Sequence, residues 1–534
     1  RDIPQSAHPS LSWTETQTHP HVLTTFPPAI GLNITYTPTI TVNFSEAMSS
    51  TTITSDTFQV YGNQTSLNRA TDIQVGYDTG DQVATLLSRV PFYPGERVQV
   101  IATERMLSED GHALIPHVYD FTIIAEKARG VFSSPKRYYD MEGRPSFVTL
   151  GDVDGDGDLD VFVLAEKYDG DSIAVLINKG NGTFASQMDY AVGDSPTHTA
   201  VGDIDGDGCL DILSVNLHSD NLSVLKNQGD GTFASHVDYE VGEGPRSIAL
   251  GDVDGDGYLD AVVANGSADS LSVLRNLSDG TFASPIDYAV GDWPYSVALG
   301  DVDNDGDLDA LVTNGSSNSL WVLNNQGDGS FAHQGGDYAI GNRASDLVMG
   351  DVDSDGDLDV IVAGSDSSRG DGGISMLRNQ GNGTFDPPVS VADNDWISSV
   401  ALGDVDGDGD LDIVDGNCLA LKNQGDGTFI ARNVLSAKIQ PSVIPSAEPS
   451  TLPIPNPPPS SYPAYAALGD IDGDEDLDVV VTWGAEVLLT FQNYSLMELQ
   501  PIAQTENAYI GQTPLTYTIN VANHSVVTAK DVWV

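Results

Sequence analysis

The decapeptide Gly151–Asp160, GDVDGDGDLD, sets carboxylates on a two-residue stride. Counted from Asp152, they stand at positions 1, 3, 5 and 9: Asp152, Asp154, Asp156 and Asp160. On a tight loop such alternate side chains turn inward, and Gly157 at position 6 permits the bend that lets them converge. With a backbone carbonyl from position 7 they make a cage of hard oxygens. That cage suits Ca2+, whose flexible shell takes six to eight oxygens. Mg2+ demands a stricter octahedron, and zinc prefers His or Cys. Without a cation, the same carboxylates repel one another and tend to hold protons.

The stretch occurs seven times, with successive copies starting 51, 49, 49, 50, 53 and 66 residues apart. The further predicted ligands are Asp203, Asp205, Asp207 and Asp211; Asp252, Asp254, Asp256 and Asp260; Asp301, Asp303, Asp305 and Asp309; Asp351, Asp353, Asp355 and Asp359; Asp404, Asp406, Asp408 and Asp412; and Asp470, Asp472, Asp474 and Asp478. Up to seven Ca2+ ions are expected. An EF-hand is excluded on two grounds. Position 12 is Val163, Ser214, Val263, Val312, Val362, Asp415 and Val481, so the bidentate Glu is missing, and the flanks read as strands. The seventh loop is the weakest copy. Glu475 replaces the position-6 Gly there, and a side chain at positive φ costs about 1–2 kcal/mol. Cys209 takes position 7 of the second loop, where only the carbonyl is needed.

The elements around the loops follow from one unit. SIALGDV (247–253), LDAVVAN (259–265), SLSVLRN (270–276) and TFASPIDYAVG (281–291) are short β-branched or apolar runs separated by Gly, Asn and Asp. Four strands in roughly 40–50 residues match one propeller blade. Position 2 (Val153, Ile204) and position 8 (Leu159, Leu210) are expected to anchor each loop in its blade. The fourth-strand signature also occurs seven times but is offset: VFSSPKRYY (131–139) precedes the first Asp loop, and none follows the last. Circular closure accounts for this, with 131–139 completing the blade that begins at Gly469 and leaving no open edge. The expected fold is all-β, a seven-bladed propeller over 130–493. A Pro/Ser-rich insertion at 438–463 reads as a solvated loop.

The bulk composition narrows the function. The net charge is −56, from 22 basic and 78 acidic residues. Nucleic acid and anionic membrane surfaces are excluded as partners, because both need Lys and Arg. Solubility in high salt and cation binding both account for such acidity. Two cysteines, Cys209 and Cys418, lie too far apart in the repeat to pair. No apolar run reaches the ~18 residues of a membrane span. The start, RDIPQSAHPS, has no apolar signal core, and KDVWV ends inside a predicted strand, so a longer polypeptide is expected. No GxSxG, HExxH or P-loop occurs, and no enzymatic activity is expected.

Repeats such as GDVDGDGYLDAVVAN…SLSVLRNLSDGTF resemble the FG-GAP/VCBS repeats of surface and secreted bacterial proteins, related to the integrin α-chain propeller. The resemblance implies a calcium-bearing module, secreted or at the cell surface, used in adhesion or in recognition of glycan or protein. A passive spacer in a large surface protein, or an accessory domain of a secreted polysaccharide-degrading enzyme, is the alternative. Residues 22–125, with ITVNFSEAMSSTTITSDTFQVYG, resemble a bacterial Ig-like domain, and the alternation in TITVNFS and RVQVIAT independently suggests a β-sandwich. Residues 1–21 read as a leader or linker, and 498–534 as the start of another Ig-like repeat. The chain is expected to be monomeric.

The connections between blades carry His198, Arg246, Trp293, Tyr295, Arg343 and Trp396 on the face opposite the Asp loops. Arg and aromatic side chains gathered on one rim are what a recognition face uses. Arg369–Gly370–Asp371, a tripeptide recognised by integrins in some proteins, falls on the same predicted face.

Overall fold

The computed structural model describes residues 19–67, 71–125, 137–167, 170–340, 344–364, 373–393, 397–416, 419–432, 464–483 and 487–493. The insertion at 438–463 and residues 498–534 lie outside the described residues, as do Arg343, Arg369–Gly370–Asp371, Trp396 and Cys418. The described residues are all-β, with no helix.

The first unit is a pair of four-stranded sheets. One runs in the order Val22–Phe26, Thr39–Phe44, Val83–Ser88, Ile73–Asp78; the other runs Gly31–Ile34, His117–Ile123, Arg97–Ala102, Phe58–Gly62. The alternation read in TITVNF sends Ile40, Val42 and Phe44 inward. There they join Phe58, Val98, Val100, Met106 and Phe121 in one buried cluster shared by both sheets.

From residue 137 the pattern changes to repeated four-stranded antiparallel sheets. Each is a meander, as in Pro245–Gly251, Asp260–Asn265, Ser270–Leu274 and Ile286–Ala289. The second strands Asp211–Asn216, Asp260–Asn265 and Asp309–Asn314 are buried at every position. They therefore show no polar/apolar alternation, because neighbouring sheets cover both of their faces. Seven sheets of this kind occur among the described residues; in the fourth the outer strand is split in two, Phe331–His333 and Tyr338–Ala339 both pairing with Ser319–Asn325. The last is completed from the other end of the repeat: Arg137–Asp140 pairs antiparallel with Val487–Phe491, Tyr139 opposite Leu488.

The fourth-strand signature divides into two parts. The Asp-Tyr end forms the outer strand, as in Met188–Ala191. The Phe near its start makes a single bridge to an Asn, Phe184 to Asn178 and Phe233 to Asn227. That Phe packs edge-on against the Tyr of the preceding sheet: Phe184 on Tyr139 at 5.3 Å, Phe233 on Tyr190 at 5.2 Å, and Phe282 on Tyr239 at 5.5 Å.

Two further contacts tie each sheet to the next. The Gly ending each first strand faces the position-8 Leu of the following sheet. A Cβ on Gly251 would lie 2.6 Å from Leu308, and one on Gly350 would lie 2.7 Å from Leu411. Gly469 of the last sheet faces Leu159 of the first at 2.7 Å. The first strands of successive sheets also pack on one another, with Ala466–Gly469 against Arg144–Gly151.

Candidate metal centres

Each Asp loop is the hairpin between the first two strands of a sheet. Gly151 pairs with Asp160, Gly202 with Asp211 and Gly251 with Asp260, so positions 1 to 8 bulge from the sheet end. The loop needs two left-handed residues. Gly155 and Gly157 have φ of 72° and 92°. At position 4 Asn304 and Ser354 adopt 61°, and Glu475 is held at 69° at position 6.

The carboxylates converge as the spacing predicts, with one difference. In the first four loops, oxygens of positions 1, 3 and 9 lie within 4.8 Å of one another, as in Asp152, Asp154 and Asp160; in the fifth the trio is Asp351, Asp353 and Asp355. In all seven loops one oxygen of position 5 also serves a local turn. Asp156 Oδ1 accepts the backbone N–H of Asp158 at 3.1 Å, and Asp207, Asp256, Asp305, Asp355, Asp408 and Asp474 repeat this turn. Position 1 is held by loop amides, Gly155 N–H to Asp152 Oδ1 at 2.8 Å and Gly157 N–H to Oδ2 at 3.2 Å.

Position 9 does structural work as well. Asp160 Oδ2 accepts the N–H of Val153 at 3.0 Å and Oδ1 that of Asn178 at 2.7 Å. Asn178 is a residue the spacing argument missed. Its side-chain amide donates to the carbonyl of Leu159 in its own sheet and of Ile471 in the last, both at 2.9 Å. Asn227, Asn276, Asn325, Asn379, Asn423 and Asn493 repeat the arrangement, each bonding its own position-8 carbonyl and the position-2 carbonyl of the preceding sheet. The recurrence of Asn ahead of the Gly-rich turn (KNQGDGT, RNLSDGT, NNQGDGS) was the available signal.

Position 3 carries the clearest cation signature. One oxygen is engaged from the third strand: Asp205 Oδ2 with Lys226 at 3.1 Å, Asp353 Oδ2 with Arg378 at 3.0 Å, and Asp303 Oδ2 with Asn324 at 2.7 Å. The other oxygen, Oδ1 of Asp205, Asp303 and Asp353, is buried without a partner. A buried, unsatisfied carboxylate oxygen is costly unless something positive meets it. These donors fit a hard divalent cation. In the sixth loop Lys422 lies on both Asp406 and Asp408, so its ammonium competes for the same oxygens.

Electrostatics agrees. The carboxyls of Asp160, Asp211, Asp252 and Asp309 are pushed up to about 8, those of Asp301, Asp359 and Asp412 to about 7, and those of Asp351 and Asp404 to about 6. Burial is the main cause, and neighbouring loop carboxylates add to it, while backbone N–H donors pull the other way.

On the opposite rim, Arg246 lies over the rings of Trp293 and Tyr295, at 5.4 and 5.3 Å. Trp293 is 39% exposed and has φ of 59°. Its equivalents in the other Asp/Glu-X-Pro turns, Ser195 and Gly244, are also left-handed, so the turn demands this geometry and the indole adopts it at a cost. His198 is drawn inward, its ring 4.1 Å from that of Phe147, which in turn meets Tyr465 at 5.3 Å. Burial lowers the His198 imidazole to about 4, so it is neutral near pH 7.

Five overlapping stretches, 152–214, 203–263, 252–312, 301–362 and 351–414, match the FG-GAP-like repeat family. No curated protein matches significantly. Among solved structures, BBS1N in complex with ARL6DN is similar with 12% identity and a TM-score of 0.43, over 68% of this chain and 97% of that one. A protein from Lactobacillus plantarum shows 16% identity and a TM-score of 0.41, over 54% and 84%. One from Desulfotomaculum acetoxidans shows 16% and 0.36, over 49% and 75%. With the repeated sheets and hairpin loops described above, the chain carries five tandem FG-GAP-like repeats in an all-β, propeller-like arrangement.

Proposed function

We propose that this chain is a calcium-stabilised, non-catalytic recognition module, secreted or displayed at a cell surface. In this reading the seven sheets close into a seven-bladed propeller with Arg137–Asp140 as the sealing strand, and the first unit is an Ig-like sandwich. Closure is supported by the contacts of Gly469 with Leu159 and of Asn178 with Ile471. The observation that carries the calcium assignment is the buried, partnerless Oδ1 of Asp205, Asp303 and Asp353 beside converging carboxylates. The Asp would supply carboxylate oxygens and position 7 a carbonyl, and the cation would supply the charge that lets them share one site.

The ligand is a glycan or an extracellular protein, met by the rim of Arg246, Trp293 and Tyr295. What supports this rim is an exposed indole kept at a left-handed turn position beside a guanidinium. Calorimetric titration of the chelator-treated chain with Ca2+ tests the first part, with several equivalents bound and a raised Tm expected. At a hundredfold excess over Kd each site adds about 2.7 kcal/mol. Absence of binding heat overturns it. A glycan array probed with the wild-type chain and with Trp293→Ala tests the second. Signal lost in the variant supports the rim, and signal unchanged overturns it.

A further inference from the structure

We infer that the Asp loops of the first, third and fourth sheets are also the docking surface of the N-terminal unit, so that cation loading and docking are linked. The inference rests on the calcium reading above and concerns a contact that the repeat sequence gives no hint of.

The N-terminal unit grips the loops mostly through their backbone. At the first loop, the N–H of Asp152 donates to the carbonyl of Gln64 at 2.9 Å, and Ser66 Oγ donates to the carbonyl of Asp152 at 2.6 Å. Tyr93 donates its hydroxyl to Asp152 Oδ2 at 3.1 Å, meeting the carboxylate of a predicted ligand directly. At the third loop, Tyr61 donates to the carbonyl of Gly257 at 2.8 Å and Arg105 to that of Asp256 at 2.6 Å. At the fourth, the N–H of Val118 donates to the carbonyl of Gly306 at 2.7 Å. The packing is close: a Cβ on Gly255 would lie 2.6 Å from Pro116, and one on Gly306 2.3 Å from His117.

These partners are loop positions 1, 5 and 6, the stretch whose path a bound cation would fix. Hydrogen bonds to carbonyls read loop shape, so they form well only when the loop is ordered. In the chelated loop, repulsion among clustered carboxylates opposes that order; a cation removes the repulsion and holds the path. Docking then favours the loaded loop, and loading favours docking by the same factor. Tyr93 acts as a positioning residue for Asp152, analogous to the outer partners that orient metal ligands elsewhere.

The test is hydrogen exchange with mass spectrometry on the full chain, in Ca2+ and in chelator, with calcium titration of the same sample. In calcium, the interface segments 61–66, 116–119 and 152–157 are expected to exchange slowly. In chelator their exchange rises at least tenfold, while Thr39–Phe44, inside the N-terminal core, stays protected. Tyr93→Phe and Arg105→Ala, both conservative for folding, are each expected to speed exchange at 61–66 in calcium and to lower the apparent affinity of one site severalfold. Equal interface exchange with and without bound Ca2+ overturns the linkage and leaves the calcium reading intact. Absence of calcium binding overturns both. Loss of protection at Thr39–Phe44 together with the interface means the unit unfolds rather than undocks, and it too overturns the inference.

Discussion

The side-chain amide of Asn178 donates to the carbonyl of Ile471 at 2.9 Å, joining residues 293 positions apart. The same amide holds Leu159 of its own sheet, and Asn178 is 3% exposed. Removing it leaves two carbonyls without partners at the joint between first and last sheets. Asn178→Ala is expected to cost about 1–3 kcal/mol. A lowered urea midpoint checks this, with Asn325→Ala, at a joint inside the repeat, losing a comparable amount.

The glycines that end the first strands are fixed by space rather than by φ. A Cβ on Gly469 would meet Leu159 at 2.7 Å and Leu150 at 2.8 Å. Gly469→Val therefore forces the sheets apart and is expected to destabilise by about 1–3 kcal/mol. Thermal unfolding in saturating calcium is the measurement. A Tm equal to wild type would show that the joint is loose.

Glu475 sits at φ of 69° where the other six loops have Gly. Glu475→Gly relieves about 1 kcal/mol of backbone strain. The backbone N–H of Glu475 donates to Asp470 Oδ2 at 2.8 Å, and glycine keeps that donor. The variant is expected to raise both stability and the affinity of the weakest site, read as an added or tightened phase in a calcium titration.

Stability in chelator is expected to fall as pH rises. The loop carboxyls move from an ordinary value of 3.8 up to about 8 on folding, so the folded chain binds more protons than the unfolded one between those limits. Stability is then fullest below about pH 4 and is lost progressively up to about pH 8. Saturating Ca2+ reverses the trend, because it binds the ionised carboxylates. Urea midpoints at pH 5 and pH 8, with and without calcium, give the sign directly; a chelated midpoint that rises with pH would contradict it.

Much of this was legible in the sequence because the repeat prints the same local problem seven times. Asp at alternate positions with Gly at the bend fixed the hairpin loop, and alternating or unbroken apolar runs fixed the strands beside it. The offset of VFSSPKRYY pointed to the pairing of Arg137–Asp140 with Val487–Phe491. The spacing could not divide the labour among the carboxylates. Position 5, read as a ligand, also carries a turn: its Oδ1 accepts the N–H two residues on, a second task set by the turn geometry of the folded loop, while in the fifth loop Asp355 stands in the converging trio.

The sequence by itself determined the strand order within a sheet and the residues that could gather round a cation, because both depend on neighbours a few positions away. Only the tertiary structure decided what lies across the joints. It set Asn178 against Ile471 and Gly469 against Leu159, turned His198 inward onto Phe147, and laid Tyr93 on Asp152. Those contacts join residues far apart along the chain, and no local periodicity encodes which distant surfaces fit one another.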